Sequence, residues 1–350
     1  MGPGAADGAA GMIEVRLFDD LDAVGADAAR ALDRAGQPSL YDRLDWFRLN
    51  AAHGVGGGRP LVARARQSEA AAWLFLAGHG RKRGGILGGW YTLSFAPVFA
   101  GAADEACRAR LLAAIAGALR ARFGRILLSP LSETARAELA RGFAAAGWAV
   151  AAEVASANWV AHVGGQDFAT YWRRRPSRLR NTAKRKMRDA GLAIEIHDRF
   201  DAAGWAAYEA VYAASWKPEE GSPAFVRALA EAEGAAGTLR LAIGRRGGQA
   251  VAAQLWTVEG GVATIHKLAY AEAERARSPG TVLSEAMFRH VIDRDRPDLI
   301  DFGTGDDGYK ADWMDEKRPL YRLTLYNRRS LDGWTGIVRA RAAAWRRRGR

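Results

Sequence analysis

The chain has 350 residues and a formal net charge of +12 at pH 7. Its 49% hydrophobic and 26% charged residues are typical of a folded globular protein, and its length favours two domains over one. No apolar run approaches the roughly 18 residues that a membrane-spanning helix needs. The opening MGPGAADGAAGM lacks the basic start and apolar core of a secretory signal, and the single cysteine, Cys107, cannot form an internal disulfide. We therefore expect a cytoplasmic protein.

The excess positive charge is concentrated in two stretches. Residues 171–190 hold seven Arg and two Lys against one Asp, and residues 339–350 hold six Arg and no acid. Such stretches are either solvated helix faces or contact surfaces for an anionic partner. That partner could be a phosphate-bearing cofactor, a nucleic acid or a membrane surface, and charge alone does not choose among the three.

Apolar periodicity predicts one order of elements in each half of the chain: strand, two helices, three antiparallel strands, helix, strand. In the first half these elements are residues 13–18, 21–35, 41–52, 60–66, 70–76, 90–98, 104–123 and 126–128. In the second half they are residues 192–197, 202–215, 224–233, 238–244, 250–258, 262–270, 282–293 and 299–302. We interpret the repeated order as two similar domains of one mixed α/β fold. A ligand cleft between the two domains would then be expected.

The turn from Ser278 to Thr281 (SPGT) stands between a predicted strand and a predicted helix. Pro279 fixes the chain direction, Gly280 lets backbone approach a ligand, and Thr281 is placed to cap the helix that runs to residue 293. Free N–H groups at a helix start favour a phosphate, and the preceding Arg275 and Arg277 could bind a pyrophosphate. The alternative is an ordinary loop and helix cap.

A second polar cluster follows the last predicted strand of the repeat. Asp301 lies in that strand, and a glycine-rich turn from 303 to 308 contains Asp306 and Asp307. Ligand chemistry is commonly found at the carboxyl ends of strands in α/β proteins. A structural turn would explain the glycines, but it would not explain the residues that follow at once, namely Tyr309, Lys310 and Trp313.

Two further positions remain open between a structural and a functional role. His266 and Lys267 lie in the strand before the SPGT turn, where a single histidine is more often structural than catalytic. Trp216 and Lys217 end a helix before Pro218, either as a helix stop or as a wall of an acceptor site. The histidines are scattered and there is no cysteine cluster, so the sequence predicts no metal site.

Four of these motifs together resemble a known family. They are FATYWRRRPSRLRNTAKRKMRDAG from Phe168, the Trp216-Lys217 pair, SPGTVL from Ser278, and DFGTGDDGYKADW from Asp301. They resemble GNAT-type acetyltransferases of the CelD-like, cellulose-biosynthesis-associated group, which are relatives of the FemABX aminoacyltransferases. The resemblance covers about residues 160–327. It implies a tandem GNAT-like fold with a degenerate domain at 1–160, a catalytic domain at 161–334 and a basic tail at 335–350.

The resemblance also implies roles for individual residues. The co-substrate would be acetyl-CoA or another acyl-CoA, inserted between splayed strands at Val262–Tyr270 and 299–302, and no metal would be needed. The cofactor-binding residues would be Leu268, Tyr270, Arg275, Arg277, Ser278, Pro279, Gly280 and Thr281. Tyr309 would protonate the leaving thiolate, with His266 or Asp306 as the base. The acceptor side would include Trp216, Lys217, Asp301, Lys310 and Trp313. Asp307 stands where the family more often has Glu, and SPGT is a shortened form of the usual GNAT loop.

Three functions follow from these observations. The first is acyl transfer from acyl-CoA to an amine or hydroxyl of a sugar, lipid or polysaccharide precursor, with no nucleic-acid partner. The second is FemABX-like transfer from an aminoacyl-tRNA, with the basic helix at 171–188 taking the tRNA. The third is non-enzymatic binding of a nucleic acid or membrane surface, and a peripheral contact of the basic tail with anionic lipid is compatible with any of them.

Overall fold

The computed structural model describes residues 11–348 and divides the chain into two compact units. The first unit comprises the described residues up to Ala155 together with those from Leu320 onward, and the second is Ser156–Pro319. The first ten residues lie outside the described part, as do the last two residues and most side chains of the predicted basic tail. Within residues 11–348, no helix combines the length and apolar character that crossing a membrane requires.

The first unit contains six strands and four helices before its boundary, in an order close to the prediction. They are β1 (Glu14–Phe18), α1 (Leu21–Ala28), α2 (Leu44–Ala52), β2 (Arg59–Gln67), β3 (Ala70–Gly78), β4 (Arg83–Ile86), β5 (Val98–Ala100), α3 (Glu105–Leu119), β6 (Arg125–Leu131) and α4 (Glu133–Ala145). The next strand, β7 (Trp148–His162), begins in the first unit and ends in the second.

The second unit repeats the order with two helices added at its start. Its elements are α5 (Phe168–Arg173), α6 (Ser177–Ala190), β8 (Ala193–His197), α7 (Ala202–Ala213), α8 (Pro223–Ala235), β9 (Leu239–Arg246), β10 (Gln249–Glu259), β11 (Val262–Tyr270), α9 (Pro279–His290), β12 (Leu299–Thr304) and α10 (Lys310–Trp313). A 3₁₀ turn at Glu272–Arg277 precedes α9, and a π-helical turn at Val291–Asp295 follows it. The chain closes with β13 (Glu316–Asn327) and α11 (Leu331–Arg348).

The sheets of the two units have the same strand order. It is β1-β2-β3-β4-β6-β13 in the first unit, with β5 beside β3, and β8-β9-β10-β11-β12-β7 in the second. Each sheet has a parallel pair between its fourth and fifth strands, β4 with β6 and β11 with β12. The strand pairs on either side, β3 with β4, β6 with β13, β10 with β11 and β12 with β7, are antiparallel. The predicted fold class, a tandem of two similar mixed α/β domains, is therefore confirmed.

The closing strand of each sheet comes from the other half of the sequence. β13 pairs with β6 of the first unit from Tyr321 to Tyr326, and β7 pairs with β12 of the second unit. For this reason the residues from Leu320 to 334, which the sequence assigns to the second domain, belong to the first unit. Periodicity identifies a strand, but it does not say which sheet the strand joins.

Side-chain caps explain why several helices begin where the sequence predicts. Asp104 accepts a hydrogen bond from the Cys107 N–H at 2.7 Å before α3, and Asp201 accepts one from the Gly204 N–H at 2.6 Å before α7. Each cap satisfies an N–H that has no partner inside its helix. Cys107 is buried on α3, in agreement with a structural thiol.

Helix α9 is fixed to the second sheet by both apolar and polar contacts. Phe288 meets Trp256 of β10 edge to face, with ring centroids 5.2 Å apart, in a core of fully buried side chains. The Gln254 amide donates to the Ser284 hydroxyl at 2.8 Å and accepts from the Trp256 indole at 2.9 Å. Because these groups are buried and satisfied, the start of α9 holds a defined position beside β11.

Candidate active site

Strands β11 and β12 pair only at their beginnings. The parallel register joins Val262 to Leu299 and ends at Thr264 opposite Asp301. Within the described residues the two strands run on to Tyr270 and Thr304 without further pairing between them. The gap leaves backbone N–H and C=O groups of β11 available to a ligand, which is the splay that the family resemblance implies.

A bulge in β11 changes which face of the sheet its side chains occupy. Lys267 lies opposite Leu255 and Ile265 lies opposite Trp256, so His266 is an extra residue on this strand. A bulge of this type turns two successive side chains to one face. His266 and Lys267 therefore point away from α9, whereas the next side chain, Leu268, points to the pocket beside α9.

The pocket at the start of α9 has a volume of about 570 Å³. It brings together seven of the predicted site residues, which are Trp216, Leu268, Tyr270, Gly280, Thr281, Tyr309 and Trp313. Six further lining residues were not among the predicted ones: Arg178, Leu179, Thr182, Ser284, Gly308 and Asp312. All belong to the second unit.

The start of α9 differs from the predicted cap. The helix begins at Pro279, and Ser278 before it has φ 53° and ψ 47°, in the left-handed region. Thr281 is thus inside the first turn, and no side chain caps the helix. Pro279 suits the first helical position because its backbone is pre-organised for it. The positive end of the helix dipole faces the pocket, where it favours an anion.

Gly280 brings the first turn of α9 close to the ring of Tyr270. A Cβ at position 280 would lie 2.9 Å from the Tyr270 Cδ1 atom. The Tyr270 ring also contacts Trp216, with centroids 4.2 Å apart and an interplanar angle of 40°. Trp216 is 49% exposed, so these aromatic rings form a solvent-accessible wall of the pocket.

Tyr309 lines the pocket from the loop that follows β12. Its ring meets Phe302 edge to face at 5.7 Å. Burial, the nearby charge of Asp307 and the neighbouring Tyr270 raise the pKa of Tyr309 to about 12. The phenol is therefore protonated at neutral pH and offers a hydrogen-bond donor to the pocket.

Lys310 binds the backbone of the same loop and does not line the pocket. Its ammonium donates to the Thr304 carbonyl at 2.9 Å and, at longer range, to the carbonyls of Gly305 (3.4 Å) and Phe302 (3.5 Å). Asp307 lies 3.6 Å away, and burial lowers the pKa of Lys310. These contacts fix the turn that carries Tyr309.

The two predicted aspartates of this region lie outside the pocket lining. Asp301 accepts from the Gly303 N–H at 2.7 Å and from the Asn158 amide at 3.0 Å, and burial raises its pKa. Asp306 is exposed and forms an ion pair with Lys317 at 2.7 Å.

The two predicted pyrophosphate ligands lie on the exposed 3₁₀ turn before α9. Arg275 is 3.2 Å from Glu272 and Arg277 is 3.6 Å from Glu274. Neither lines the pocket, and neither do Ser278 and Pro279. The Arg275–Glu272 pair is exposed and contributes little energy, whereas Glu274 is largely buried and also pairs with Arg246.

The side chains of His266, on β11, and Lys217, after α7, lie on the side of the sheet that is turned away from α9. The His266 Nε2 atom is 2.8 Å from the Thr257 hydroxyl, and burial, with a smaller effect of Lys267, lowers the pKa of His266 to about 4. Burial and the charge of Lys267 lower the pKa of Lys217 to about 8. Neither residue lines the pocket beside α9.

Helix α6 contributes a side of the pocket that no single motif predicts. Arg178 pairs with Asp312, with an Nη2–Oδ1 distance of 2.5 Å, and Leu179 and Thr182 face the pocket beside them. Lys186 donates to the Ala276 carbonyl at 2.5 Å, which ties α6 to the turn before α9. The basic stretch at 171–190 and the motif from Phe168 point to this segment, but neither singles out Arg178, Leu179 or Thr182.

The comparisons with known proteins agree on the fold. Residues 173–311 match the acetyltransferase (GNAT) domain family. The sequence comparison with curated proteins gives no match.

Among solved structures, FemX matches with a TM-score of 0.62 and 9% identity, over 89% of this chain and 98% of FemX. The C-terminal domain of a putative lysylphosphatidylglycerol synthetase from Agrobacterium fabrum matches with a TM-score of 0.53 and 14% identity, over 76% of this chain and 83% of that one. L-PGS from Bacillus licheniformis matches with a TM-score of 0.51 and 12% identity, over 77% of this chain and 85% of that one. At these identities the likeness concerns the fold alone. Residues 173–311 are thus similar to the acetyltransferase (GNAT) domain family, and the chain resembles FemX in fold.

Proposed function

We propose that this protein is an acyl-CoA-dependent acyltransferase that acts on an amine or hydroxyl of a sugar, lipid or polysaccharide precursor. One observation carries the proposal. The pocket at the start of α9 adjoins β11 beyond Thr264, where β11 no longer pairs with β12. An elongated donor with a phosphate at one end and a thioester at the other fits a helix start next to an unpaired strand edge.

The residues present fit a CoA group. The backbone at Gly280 and the hydroxyl of Thr281 would hold the pyrophosphate at the helix start, where a larger residue than glycine would meet Tyr270. The edge of β11 that does not pair with β12 would bind the pantetheine amides, and Trp216 would cover them. Arg275 and Arg277 would contact phosphate from outside the pocket.

Acyl-CoA supplies an activated thioester carbonyl when it is bound. A backbone N–H of β11 past Thr264 would polarise that carbonyl. Ser284 accepts a hydrogen bond from Gln254 inside the core, and no cysteine lines the pocket, which favours direct attack by the acceptor over a covalent enzyme intermediate.

Tyr309 would donate a hydrogen bond to the departing sulfur. With a pKa of about 12 the phenol is a weaker acid than a thiol, whose ordinary pKa is about 8.5. The Tyr309 hydroxyl would therefore keep its proton and stabilise the thiolate by a hydrogen bond. Solvent would then protonate the thiolate. His266 and Asp306 stay predictions for the base and would have to act through water, because neither lines the pocket.

Calorimetric titration with acetyl-CoA at low salt tests this function. We expect saturable binding, and release of free thiol when an acceptor is added. Longer acyl-CoAs are titrated in parallel because the acyl length is open. Absence of binding for every acyl-CoA at millimolar concentration would refute the proposal.

Transfer from an aminoacyl-tRNA is the second candidate, and helix α6 favours it. Lys184, Arg185 and Arg188 are exposed on this helix, beside the turn before α9. A basic helix with free side chains suits the phosphates of an acceptor stem. Binding of charged tRNA that weakens steeply with salt, together with transfer of the amino acid, would replace the acyl-CoA proposal. Equal affinity for tRNA and unrelated RNA would assign the charge to non-specific contact.

A further inference from the structure

Helix α11 carries three exposed apolar side chains along one line. Leu331, Trp334 and Val338 are 87%, 55% and 60% exposed, and they are three of the nine large apolar side chains that are exposed among the described residues. Spacings of three and four residues bring them to one face of the helix, and we call this set the apolar stripe. Single exposed apolar residues are ordinary on a protein surface, whereas a line of three on one helix indicates a contact surface.

The opposite face of α11 packs on the first unit. A Cβ at Gly333 would overlap the Asn327 carbonyl oxygen, and one at Gly336 would overlap the Tyr326 ring, so the helix lies in close contact with β13 on this side. Ile337 is buried on the same side. At about 100° per residue, these three helix positions lie opposite the apolar stripe. The apolar stripe therefore points away from the first unit.

The surroundings of the apolar stripe are strongly basic. Arg328 and Arg329 are exposed just before the helix and Arg339 is exposed on it, and none of the three forms an ion pair with another described residue. We call these three residues the arginine flank. From residue 328 to residue 350 the sequence contains eight Arg and a single acid, Asp332. An apolar helix face bordered by arginines is typical of helices that lie in the headgroup region of an anionic bilayer.

Two other partners fit this surface less well. A nucleic acid would neutralise the arginine flank, but its phosphates would leave the apolar stripe in water. A second copy of this chain, packed stripe against stripe, would bring two arginine flanks together, and their repulsion would oppose the apolar contact. An anionic bilayer accommodates both parts at once, because its headgroups attract the arginines while its interface accepts the apolar side chains.

We propose that α11 is a membrane-docking helix that lies in the plane of an anionic lipid surface, with the apolar stripe inserted among the headgroups and the arginine flank on their phosphates. Arginine suits this position because its apolar stem can lie along the interface while its guanidinium binds phosphate. None of these residues lines the pocket beside α9, and the docking does not depend on the acyl-CoA function.

Flotation with lipid vesicles tests the docking surface. The intact chain is mixed with vesicles of phosphatidylcholine alone, or of phosphatidylcholine and phosphatidylglycerol in equal parts, without donor or acceptor. We expect binding to the mixed vesicles only, and weaker binding as the salt concentration is raised. Trp334→Gln with Val338→Gln should lower the partition coefficient about tenfold or more. Trp90→Gln with Val154→Gln is the matched control, because these two side chains are 83% and 65% exposed and do not belong to α11.

A second pair of variants separates the arginine flank from the rest of the positive charge. Arg328→Gln with Arg329→Gln should lower binding to the mixed vesicles about tenfold. Lys184→Gln with Arg185→Gln removes as much charge from exposed positions of α6 and should lower binding less than about threefold. All of these substitutions change exposed side chains, so the denaturation midpoint should stay that of the wild type.

Three results would overturn the proposal. The first is no binding to the mixed vesicles. The second is wild-type binding by the variant that lacks Trp334 and Val338, or an equal loss in the two charge variants, because the contact would then be charge alone. The third is self-association of the wild type that the Trp334 and Val338 variant abolishes, which would assign the apolar stripe to a second copy of the chain.

Discussion

Gly280 of α9 lies so close to Tyr270 of β11 that a methyl group at position 280 would be 2.9 Å from the ring. The Tyr270 ring is also held by Trp216, with ring centroids 4.2 Å apart. Three elements therefore meet in one wall of the pocket beside α9. The absence of a side chain at Gly280 keeps the helix start open to a ligand.

Gly280→Ala should weaken acetyl-CoA binding without unfolding the protein. The added methyl group must push Tyr270 into the pocket or the first turn of α9 away from it, so we expect the dissociation constant to rise about tenfold. Gly117→Ala on α3 is the control, because nothing lies within 4 Å of a Cβ at that position. That control should gain up to about 1 kcal/mol in stability and leave binding unchanged. Equal acetyl-CoA affinity in both variants would place the donor elsewhere.

Lys310→Met should destabilise the second unit and lower kcat. Its ammonium donates to the carbonyls of Phe302, Thr304 and Gly305, and methionine would remove this donor from a partly buried turn, at a cost of about 2 kcal/mol. Chemical denaturation measures the loss. Lys317→Met removes an exposed ion pair with Asp306 and a contact of the ammonium with the Trp159 ring, and should cost about 1 kcal/mol. If Lys310→Met raised the KM of the acceptor at full stability, Lys310 would bind substrate, as the sequence first suggested.

Tyr309→Phe should lower kcat about tenfold to a hundredfold and leave acetyl-CoA affinity nearly unchanged, because the hydroxyl acts on the leaving sulfur. Burial first, then Asp307, raises the pKa of Tyr309 to about 12, so the phenol keeps its proton below that pH. The wild-type rate should consequently show no decline from this group up to about pH 11. Tyr321→Phe, in the first unit, is the control. An unchanged kcat in Tyr309→Phe would remove the hydroxyl from the mechanism.

The sequence predicts the sheet of the second unit well where each strand alternates. The limits predicted for the third strand, Val262–Tyr270, agree with the structure, and those of its two preceding neighbours are close. By contrast, β4 (Arg83–Ile86) was missed because RGGI has no alternation and two glycines. The alternation of apolar and polar residues predicts a strand only where the segment has enough side chains to show which face is buried.

The candidate site was predicted where its residues lie close in sequence. The SPGT turn and the segment from 301 to 313 do contribute to one pocket, through Gly280, Thr281, Tyr309 and Trp313. The contribution of α6 could not be predicted, because the contact of Arg178 with Asp312 joins residues far apart in the chain. The bulge at His266, which turns two side chains to one face, likewise depends on register against β10.

His266→Gln should make the protein less sensitive to acid. Burial, and to a smaller extent Lys267, lowers the pKa of His266 to about 4, below the ordinary value of about 6.5. Between these two values the unfolded chain binds the proton and the folded chain does not, so folding stability is lost as pH falls from about 6.5 to 4. Glutamine keeps a polar partner for the Thr257 hydroxyl and cannot take up the proton.

Denaturation midpoints at pH 7 and pH 4.5 measure this effect. We expect the wild type to lose more stability than His266→Gln over that interval, with each pKa unit corresponding to about 1.4 kcal/mol. His79→Gln, at an exposed position of the first unit, should follow the wild type. If the wild type and His266→Gln lost stability equally, the ring of His266 would have to remain accessible to protons in the folded state. His266 would then take up a proton more readily than its buried position beside Thr257 suggests. That result would support His266 as the catalytic base.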